Sequence, residues 1–340
     1  LHRVDRRQRQ MCIRDRYKGE FKMRYLDEQT QSELLNMNEV IEEVGQALKA
    51  FSEGKTETPL RHVLPFNKQN RYLVIPALSD ELKIVGLKTV SFAPDNPKKG
   101  KATITGSVIL SDYETGETLA VLDGGYLTKI RTGAISGVAT KYLSREDAKV
   151  LTVIGAGVQA EGLIEAVMAV RNIEEVHFSS RTKEKAEKLA EATQQKYGVK
   201  TKTYDQADEA MEAADIIVTA TNASEPVYSH TLHPGVHLNA VGSFKPDMQE
   251  LPSESMMIAN KIVVESTEAA MEETSDLKVP HEEGILTHNM LYGELGDIVS
   301  GKKAGREDEK EVTLFKSVGL AIVDIVVAQY FYKKALESDN

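Results

Sequence analysis

The chain of 340 residues has a single cysteine, Cys12, and that cysteine sits in an unusual leader. Past position 12 no disulfide, catalytic thiolate or cysteine-ligated metal can be built, which fits a reducing cytoplasm. No apolar run approaches the ~20 residues needed to span a bilayer, so no membrane partner is expected. The net charge is −10 with no basic stripe, which argues against nucleic acid as a partner. No internal repeat and no low-complexity linker divides the chain. "VPHEEGILTHNM" holds His281, Glu282, Glu283 and His288, but not in H-E-x-x-H spacing. It reads as a loop with solvated charges, and no metal site is expected. No Ser–His–Asp arrangement can be read either.

What is present suits a soluble protein of two domains, each with its own core. Residues 1–22, "LHRVDRRQRQMCIRDRYKGEFK", lack the apolar centre of a secretory signal. They also contain Asp5, Asp15 and Glu20, unlike acid-poor transit peptides. They are expected to be a non-native or disordered leader, with Met23 as the true start. "NMNEVIEEVGQALKAFSEG" then reads as an amphipathic helix, with Val40, Ile41, Val44, Leu48 and Phe51 at helical spacing and Gly54 at its end. "RHVLPF", "RYLVIPAL" and "KIVGLKTVSF" read as strands, and "TITGSVILSDYETGETLAVLDGG" as a hairpin turning at "DYETGE".

From about residue 138 strands alternate with helices: "KVLTVIG", "AEGLIEAVMAV", "EEVHFSS", "KEKAEKLAEATQQKYG", "VKTKTYD", "ADEAMEAA", "DIIVTAT". "HLNAVGS" and "KIVVES" continue the series. This pattern predicts an α/β fold with a doubly wound parallel sheet. The end, "EVTLFKSVGLAIVDIVVAQYFYKKALE", reads as one long helix crossing back onto the first domain. Phe315, Val318, Ile322, Ile325, Val326 and Tyr330 would be its packing face. The expected partition is an α+β substrate and dimerisation domain, 23–137 with 319–340, and a nucleotide-binding domain, 138–318. "GKKAGREDEKE" reads as a solvated charge run.

"VLTVIGAGVQAEG" carries Gly155, Gly157 and Ala160 as G-x-G-x-x-A, after a Val/Ile strand and at the opening of a helix. That is the context of a Rossmann dinucleotide site. Gly155 permits the tight turn, Gly157 admits a pyrophosphate, and Ala160 lets helix and strand pack closely. NAD sites usually place an acid about 20 residues further on, against the ribose hydroxyls. Here "VHFSSRTKEK" offers Ser179, Ser180, Arg181, Thr182 and Lys183 and no acid. A carboxylate would repel a 2′-phosphate, whereas Ser and Arg bind it. NADP(H) is therefore expected ahead of NAD(H), unless Arg181 only stacks on adenine or begins the next helix. "TATNAS" ends a later strand and places Thr221 and Asn222 over the nicotinamide side.

Three cations interrupt apolar strings outside this region: Arg61 in "TPLRHVLPF", Lys88 in "IVGLKTVSF" and Arg131 in "GGYLTKIRTGAISGVA". Buried cations need an anion. Each taken singly reads as a salt bridge or a snorkelling stem.

Taken together, "GLKTVSFAPDN", "SVILSDYETGETLAVLDGGYLTKIRTGAISGVATKYLSRED", "VLTVIGAGVQA" and "TLFKSVGLAIVD" resemble the ornithine cyclodeaminase/mu-crystallin family across 23–335. The resemblance implies that Arg61, Lys88 and Arg131 hold a substrate carboxylate, in a site between the domains of a homodimer paired through the α+β sheet. It implies cofactor contacts at Thr132, Gly155, Gly157, Val158, Gln159, Ala160, Ser180, Arg181, Thr182, Thr221, Asn222, Val241, Gly242 and Ser317. The family's cyclodeaminases place an Asp two residues after the glycine corner of this loop, in a "G-D-x-P-G-K" arrangement. Here "VGSFKPDMQEL" places Phe244 there, and a phenyl ring neither accepts a proton nor pairs with an ammonium. Asp247, past Pro246, reads as a turn or capping residue.

"GVHLNAVGSFKPDMQELP" and "VVESTEAAMEETSDL" are similar to the branch that reduces a cyclic imine, Δ1-pyrroline-2-carboxylate, to L-proline in trans-3-hydroxy-L-proline catabolism. On that reading Lys88 is the proton donor to the imine nitrogen and Phe244 an apolar cover. Glu272 and Glu273 would lie on an exposed helix rather than contribute. His62 would be a substrate contact or a structural residue. Ornithine cyclodeamination, alanine dehydrogenation and mu-crystallin-like ketimine reduction or binding are the alternatives.

Overall fold

In the computed structural model, which describes residues 23–59, 61–229 and 231–339, the chain builds two sheets joined by one long helix. The leader lies outside the described residues. The first part runs β1 (Arg24–Leu26), α1 (Glu28–Leu34), α2 (Met37–Ser52), β2 (His62–Phe66), β3 (Asn70–Ser79), β4 (Ile84–Phe92), β5 (Ile104–Ser111) and β6 (Thr118–Asp123). The connecting helix is α3 (Gly124–Leu143). The second part runs β7 (Val150–Ile154), α4 (Val158–Val170), β8 (Glu175–Ser179), α5 (Lys183–Tyr197), β9 (Lys200–Tyr204), α6 (Ala207–Met211), β10 (Ile216–Thr219) and β11 (His237–Ala240). It continues through α7 (Glu254–Ile258), β12 (Lys261–Val264), α8 (Thr267–Glu273), α9 (Ser275–Glu282), β13 (Leu291–Glu294), α10 (Leu295–Val299) and β14 (Thr313–Lys316), and α11 (Ala321–Glu337) closes the chain.

The eight-stranded sheet has the order β13-β12-β14-β11-β10-β7-β8-β9 and is parallel throughout. From β7 the chain runs outward through β8 and β9, and then crosses to β10 and β11 on the other side. The crevice at the carboxyl ends of β7 and β10 is thus the switch point where ligands bind in such sheets. The six-stranded sheet has the order β1-β6-β5-β4-β3-β2, antiparallel except where β1 joins β6.

Cross-strand partners share a face of an antiparallel sheet. Lys88 pairs with Ile75 and Val108, so these three lie on the face that α11 covers. Gly86 shares that face, and a Cβ built there would stand 3.1 Å from Ile325 of α11. The opposite face carries Leu64, Tyr72, Val74, Pro76, Leu87 and Ile109, with Leu64 56% exposed and Tyr72 38% exposed. Rows of half-exposed apolar side chains are uncommon on the surfaces of monomeric proteins.

Helix α3 begins where Asp123 accepts from the Tyr126 amide at 2.8 Å. It runs unbroken through 137 and 138, so the expected domain boundary falls inside a helix. Arg171 stitches down its far end by donating to the carbonyls of Thr140 and Lys141 at 2.9 Å and of Ser144 at 3.1 Å.

Two sequence expectations fail. The closing segment is not one helix: Thr313–Lys316 is a fully buried strand between β11 and β12, and Gly319 at φ +100° turns the chain before α11 starts at Ala321. A short apolar run buried on both sides has no periodicity to separate strand from helix, and it was absorbed into its neighbour. Phe315 therefore packs in the sheet rather than on the helix. The charge run before it is not wholly solvated either. Arg306 donates to the carbonyls of Leu143 and Glu311, both at 2.7 Å, and of Val236 at 3.2 Å, tying α3 to the parallel sheet.

Candidate active site

The glycine turn after β7 is set by the neighbouring strand. Gly155 has φ +107°, and a Cβ there would fall 2.5 Å from the Ala220 carbonyl oxygen. A Cβ on Gly157 would meet nothing within 4 Å. Gly157 is the N-cap of α4 and makes no side-chain cap, so the first amides of α4 stay free for an anion. Val158 is 73% exposed beside them, and Gln159 Oε1 is buried without a partner among the described residues. Ala160 is fully buried against β7. The residues present fit a dinucleotide: an open glycine, a bare helix N-terminus and an unsatisfied polar atom converge on one edge.

The other positions expected to contact a cofactor lie on the same carboxyl edge. Ser180, Arg181 and Thr182 follow β8, and Arg181 Nη2 donates to Asn222 Oδ1 at 3.0 Å. No acid stands among them. Thr221 follows β10, and Val241 and Gly242 follow β11. These two loops are fastened by Glu250. Its carboxylate accepts from the amides of Thr221 (2.6 Å), Gly242 (2.8 Å) and Ser243 (3.2 Å) and from the hydroxyls of Thr219 (2.9 Å) and Thr221 (2.8 Å). Burial, with Asp276 close by, pushes the Glu250 carboxyl above the usual range. The acid of the "VGSFKPDMQEL" loop is thus Glu250, while Asp247 is exposed in the turn, as expected of a turn residue.

Lys88, Arg131 and Arg61 come together at the seam between the sheets. Lys88, 5% exposed on β4, donates to Asp324 Oδ1 at 2.9 Å and to Thr128 Oγ1 at 2.7 Å. Arg131 Nε lies 3.2 Å from the same Asp324 oxygen, off the hydrogen-bonding line. Its guanidinium nitrogens would be 3.3 Å from a Cβ on Gly319, at the edge of the parallel sheet. Arg61 pairs with Glu273 at the end of α8. Glu273 is therefore not on an open surface, and Glu272 is the exposed member of the pair. The Glu273 carboxyl is raised chiefly by burial. Burial lowers Lys88 to about 8; Asp324 opposes that shift, while Arg131 and Arg61 reinforce it.

Across β12, Glu265 accepts from the Ser317 hydroxyl at 3.0 Å, the Val318 amide at 2.5 Å and the Gly319 amide. Ser317 is thereby fixed at the carboxyl end of β14. Thr132 is buried beside Arg131, and Gly133 and Gly162 let α3 and α4 cross so closely that a Cβ on Gly133 would sit 2.2 Å from the Gly162 carbonyl. That crossing sets Arg131 and Thr132 against the glycine turn.

Phe244 is 37% exposed, and Lys245 Nζ stands 5.3 Å from its ring and 5.1 Å from the ring of Phe92 at the end of β4. This cation–π bridge spans the mouth between the two parts. His62 is exposed on β2. Among the described residues no group of three or more His, Cys, Asp and Glu is placed to hold a metal.

The sequence profile of the ornithine cyclodeaminase/mu-crystallin family matches residues 22–339. The chain belongs to the ornithine cyclodeaminase/mu-crystallin family. Among its curated members, a Delta(1)-pyrroline-2-carboxylate reductase of Bacillus thuringiensis subsp. konkukian is 56% identical over 309 residues, which is 91% of this chain and 95% of that protein. The ketimine reductase mu-crystallin of Rattus norvegicus is 35% identical over 310 residues, 90% of this chain and 95% of that protein. Among solved members, the Thermococcus litoralis Delta(1)-pyrroline-2-carboxylate reductase in complex with NADH and L-proline superposes with a TM-score of 0.88 at 41% identity, covering 93% of this chain and 98% of that one. An archaeal alanine dehydrogenase dimer with bound NAD superposes with a TM-score of 0.86 at 33% identity, over 94% and 97% of the two chains.

Sequence reasoning missed Asp324, Glu265, Glu250, Asp276 and Lys316. The signal was available. Asp324 interrupts "AIVDIVV" and Lys316 interrupts "TLFKS" just as Lys88 interrupts its strand. Because buried charges come in pairs, these interruptions call for partners as much as the cations of the first domain do.

Proposed function

We propose that this chain reduces Δ1-pyrroline-2-carboxylate to L-proline with a reduced nicotinamide dinucleotide, as a cytoplasmic homodimer. The observation that carries the reading is the cluster of Lys88, Arg131 and Arg61 facing the carboxyl edge of the parallel sheet, in a chain similar to a Thermococcus litoralis reductase that binds NADH and L-proline. Phe244, where a cyclodeaminase would place its acid, supports reduction over ammonia loss.

A reduced dinucleotide held over Gly155, Gly157 and the free amides at the start of α4 would supply the hydride that C2 of the ring takes up. Everything else falls to the protein. Arg61 and Arg131 take the substrate carboxylate, with guanidinium geometry suited to two parallel bonds. Arg61 must leave Glu273 to do so. Holding the carboxylate fixes C2, and positioning accounts for a large share of such a rate. Lys88 donates a proton to the imine nitrogen, leaving the secondary amine of proline. Phe244 covers the methylenes of the ring and excludes water.

The test mixes purified protein with the imine and NADPH and follows loss of the reduced nicotinamide absorbance, while a parallel sample holds ornithine with NAD. Proline from the imine with stoichiometric cofactor oxidation is expected. Ammonia from ornithine without net cofactor turnover would sink the reductase reading.

The cofactor preference is a separate prediction. Without an acid at Ser180–Thr182, kcat/KM is expected to be higher with NADPH than with NADH. Arg181→Ala should cut the NADPH value about tenfold or more and leave NADH nearly unchanged, since a lost charge-assisted contact removes roughly 1.5–3 kcal/mol. Equal losses with both cofactors would assign Arg181 to adenine stacking.

The dimer is expected to form through the outer face of the six-stranded sheet. Leu64→Asp places a charge in that apolar row opposite Tyr72. Light scattering should then report a halved mass at micromolar concentration; an unchanged mass would move the interface elsewhere.

A further inference from the structure

Asp324 has no role in the mechanism above, yet it is a carboxylate on the buried face of α11, 4% exposed between Val323 and Ile325. Its partners define what it does. Lys88 Nζ reaches Oδ1 at 2.9 Å. The second acceptor of Lys88 is Thr128, whose hydroxyl hydrogen is committed to the Gly124 carbonyl at 2.5 Å. Thr128 therefore has only lone pairs to offer Lys88 at 2.7 Å. An ammonium has three N–H groups. Two are spoken for, and the third has no protein acceptor among the described residues. A neutral amine has two N–H groups and keeps both tethers after the third proton has left.

We propose that Asp324, seconded by Thr128, is the positioning residue that holds Lys88 with one N–H free for the substrate nitrogen, and that its negative charge keeps Lys88 protonated at neutral pH. The inference rests on the reading of Lys88 as proton donor. The balance is simple: the proton passes from Nζ to the imine nitrogen while the hydride reaches C2. Lys88 is left neutral and regains a proton from water once proline has gone.

The charges facing Lys88 come from three elements: Asp324 on α11 favours the ammonium, while Arg131 on α3 and Arg61 before β2 oppose it, as does burial. Glu265, beyond β12, acts on Arg131. Without the Asp324 charge, nothing within contact distance of Lys88 offsets that opposition.

The experiment uses the full chain with Asp324→Asn, Asp324→Glu and Thr128→Val. Two readouts are taken: the pH profile of kcat with saturating NADPH and imine, and the Lys88 titration by NMR of lysine labelled at the ε-carbon, assigned from the signal missing in Lys88→Met. In Asp324→Asn the alkaline limb and the Lys88 midpoint should both move to lower pH by about one unit or more, the scale set by an opposite charge in contact. Asp324→Glu keeps the charge, so its limb should stay in place while kcat falls through misplacement of Nζ. Thr128→Val should lower kcat and leave the limb unmoved. An unshifted Lys88 midpoint in Asp324→Asn overturns the proposal. If Asp324→Asn does not fold, Asp324→Glu with full kcat overturns it instead. If the wild type does not turn over the imine, the functional reading fails, and the NMR midpoints still decide whether Asp324 governs Lys88.

Discussion

Replacing Lys88 by Met is expected to lower kcat by about 10²–10⁴-fold, the usual weight of a positioned general acid. Met fills the same unbranched volume on β4, so the face under α11 stays packed. Asp324 keeps Arg131 as a counter-ion, so the fold tolerates the change. The pH dependence of the wild type follows from the same group. Lys88 works protonated and titrates at about 8 because burial outweighs the attraction of Asp324. Imine reduction should therefore be flat below that point and fall as pH rises through it. In Lys88→Met this limb should vanish along with most of the rate. A variant that keeps full kcat would assign protonation to water or to Glu273, the remaining titratable group at Arg61. Binding should suffer less than turnover, because Arg61 and Arg131 still hold the carboxylate.

How far the sequence led depends on the kind of signal. The G-x-G-x-x-A turn was legible because Gly155 and Gly157 each answer a local steric demand, one from the Ala220 carbonyl and one from the open space ahead of α4. Strand–helix alternation made the parallel sheet legible for a similar reason: each period is local. Arg61, Lys88 and Arg131 were legible as costly cations but not as a cluster, because 27 and 43 positions of chain separate them in sequence and only α3 and β4 bring them together. Their acidic partners were legible only as interruptions of apolar runs, not as partners of these cations. Asp324 lies in a helix whose other inward residues are apolar, and only the three-dimensional facing of α11 against β4 gives its carboxylate a purpose. The strand Thr313–Lys316 was lost because four residues buried on both sides have neither the length nor the alternation of a recognisable element.

The larger effect on stability is expected at Lys316, 0% exposed and 2.7 Å from Asp276, which is also 0% exposed. Asp276 accepts from the amides of Glu250 (2.6 Å) and Leu251 (2.9 Å), and Glu250 in turn grips both cofactor loops. Lys316→Met removes the cation and leaves two buried carboxyl groups facing each other. Breaking a buried pair from one side costs about 3–5 kcal/mol. The double variant Lys316→Met with Asp276→Asn should regain most of that loss, because the amide still accepts the two backbone bonds without carrying a charge. The pH sign follows from Glu250. Its folded carboxyl already binds a proton more readily than an unfolded one, and losing Lys316 strengthens that preference. A folded state that holds the extra proton loses stability as pH rises. The deficit of Lys316→Met should therefore be largest at neutral and alkaline pH and shrink toward pH 5. Because Glu250 pins Thr221 and Gly242, the same variant should raise the KM for NADPH more than the KM for the imine. Thermal unfolding of both variants across pH checks the first claim, and steady-state kinetics below the new midpoint checks the second. A pH-independent deficit would mean that Lys316 acts by packing rather than by neutralising the acids beneath the cofactor loops.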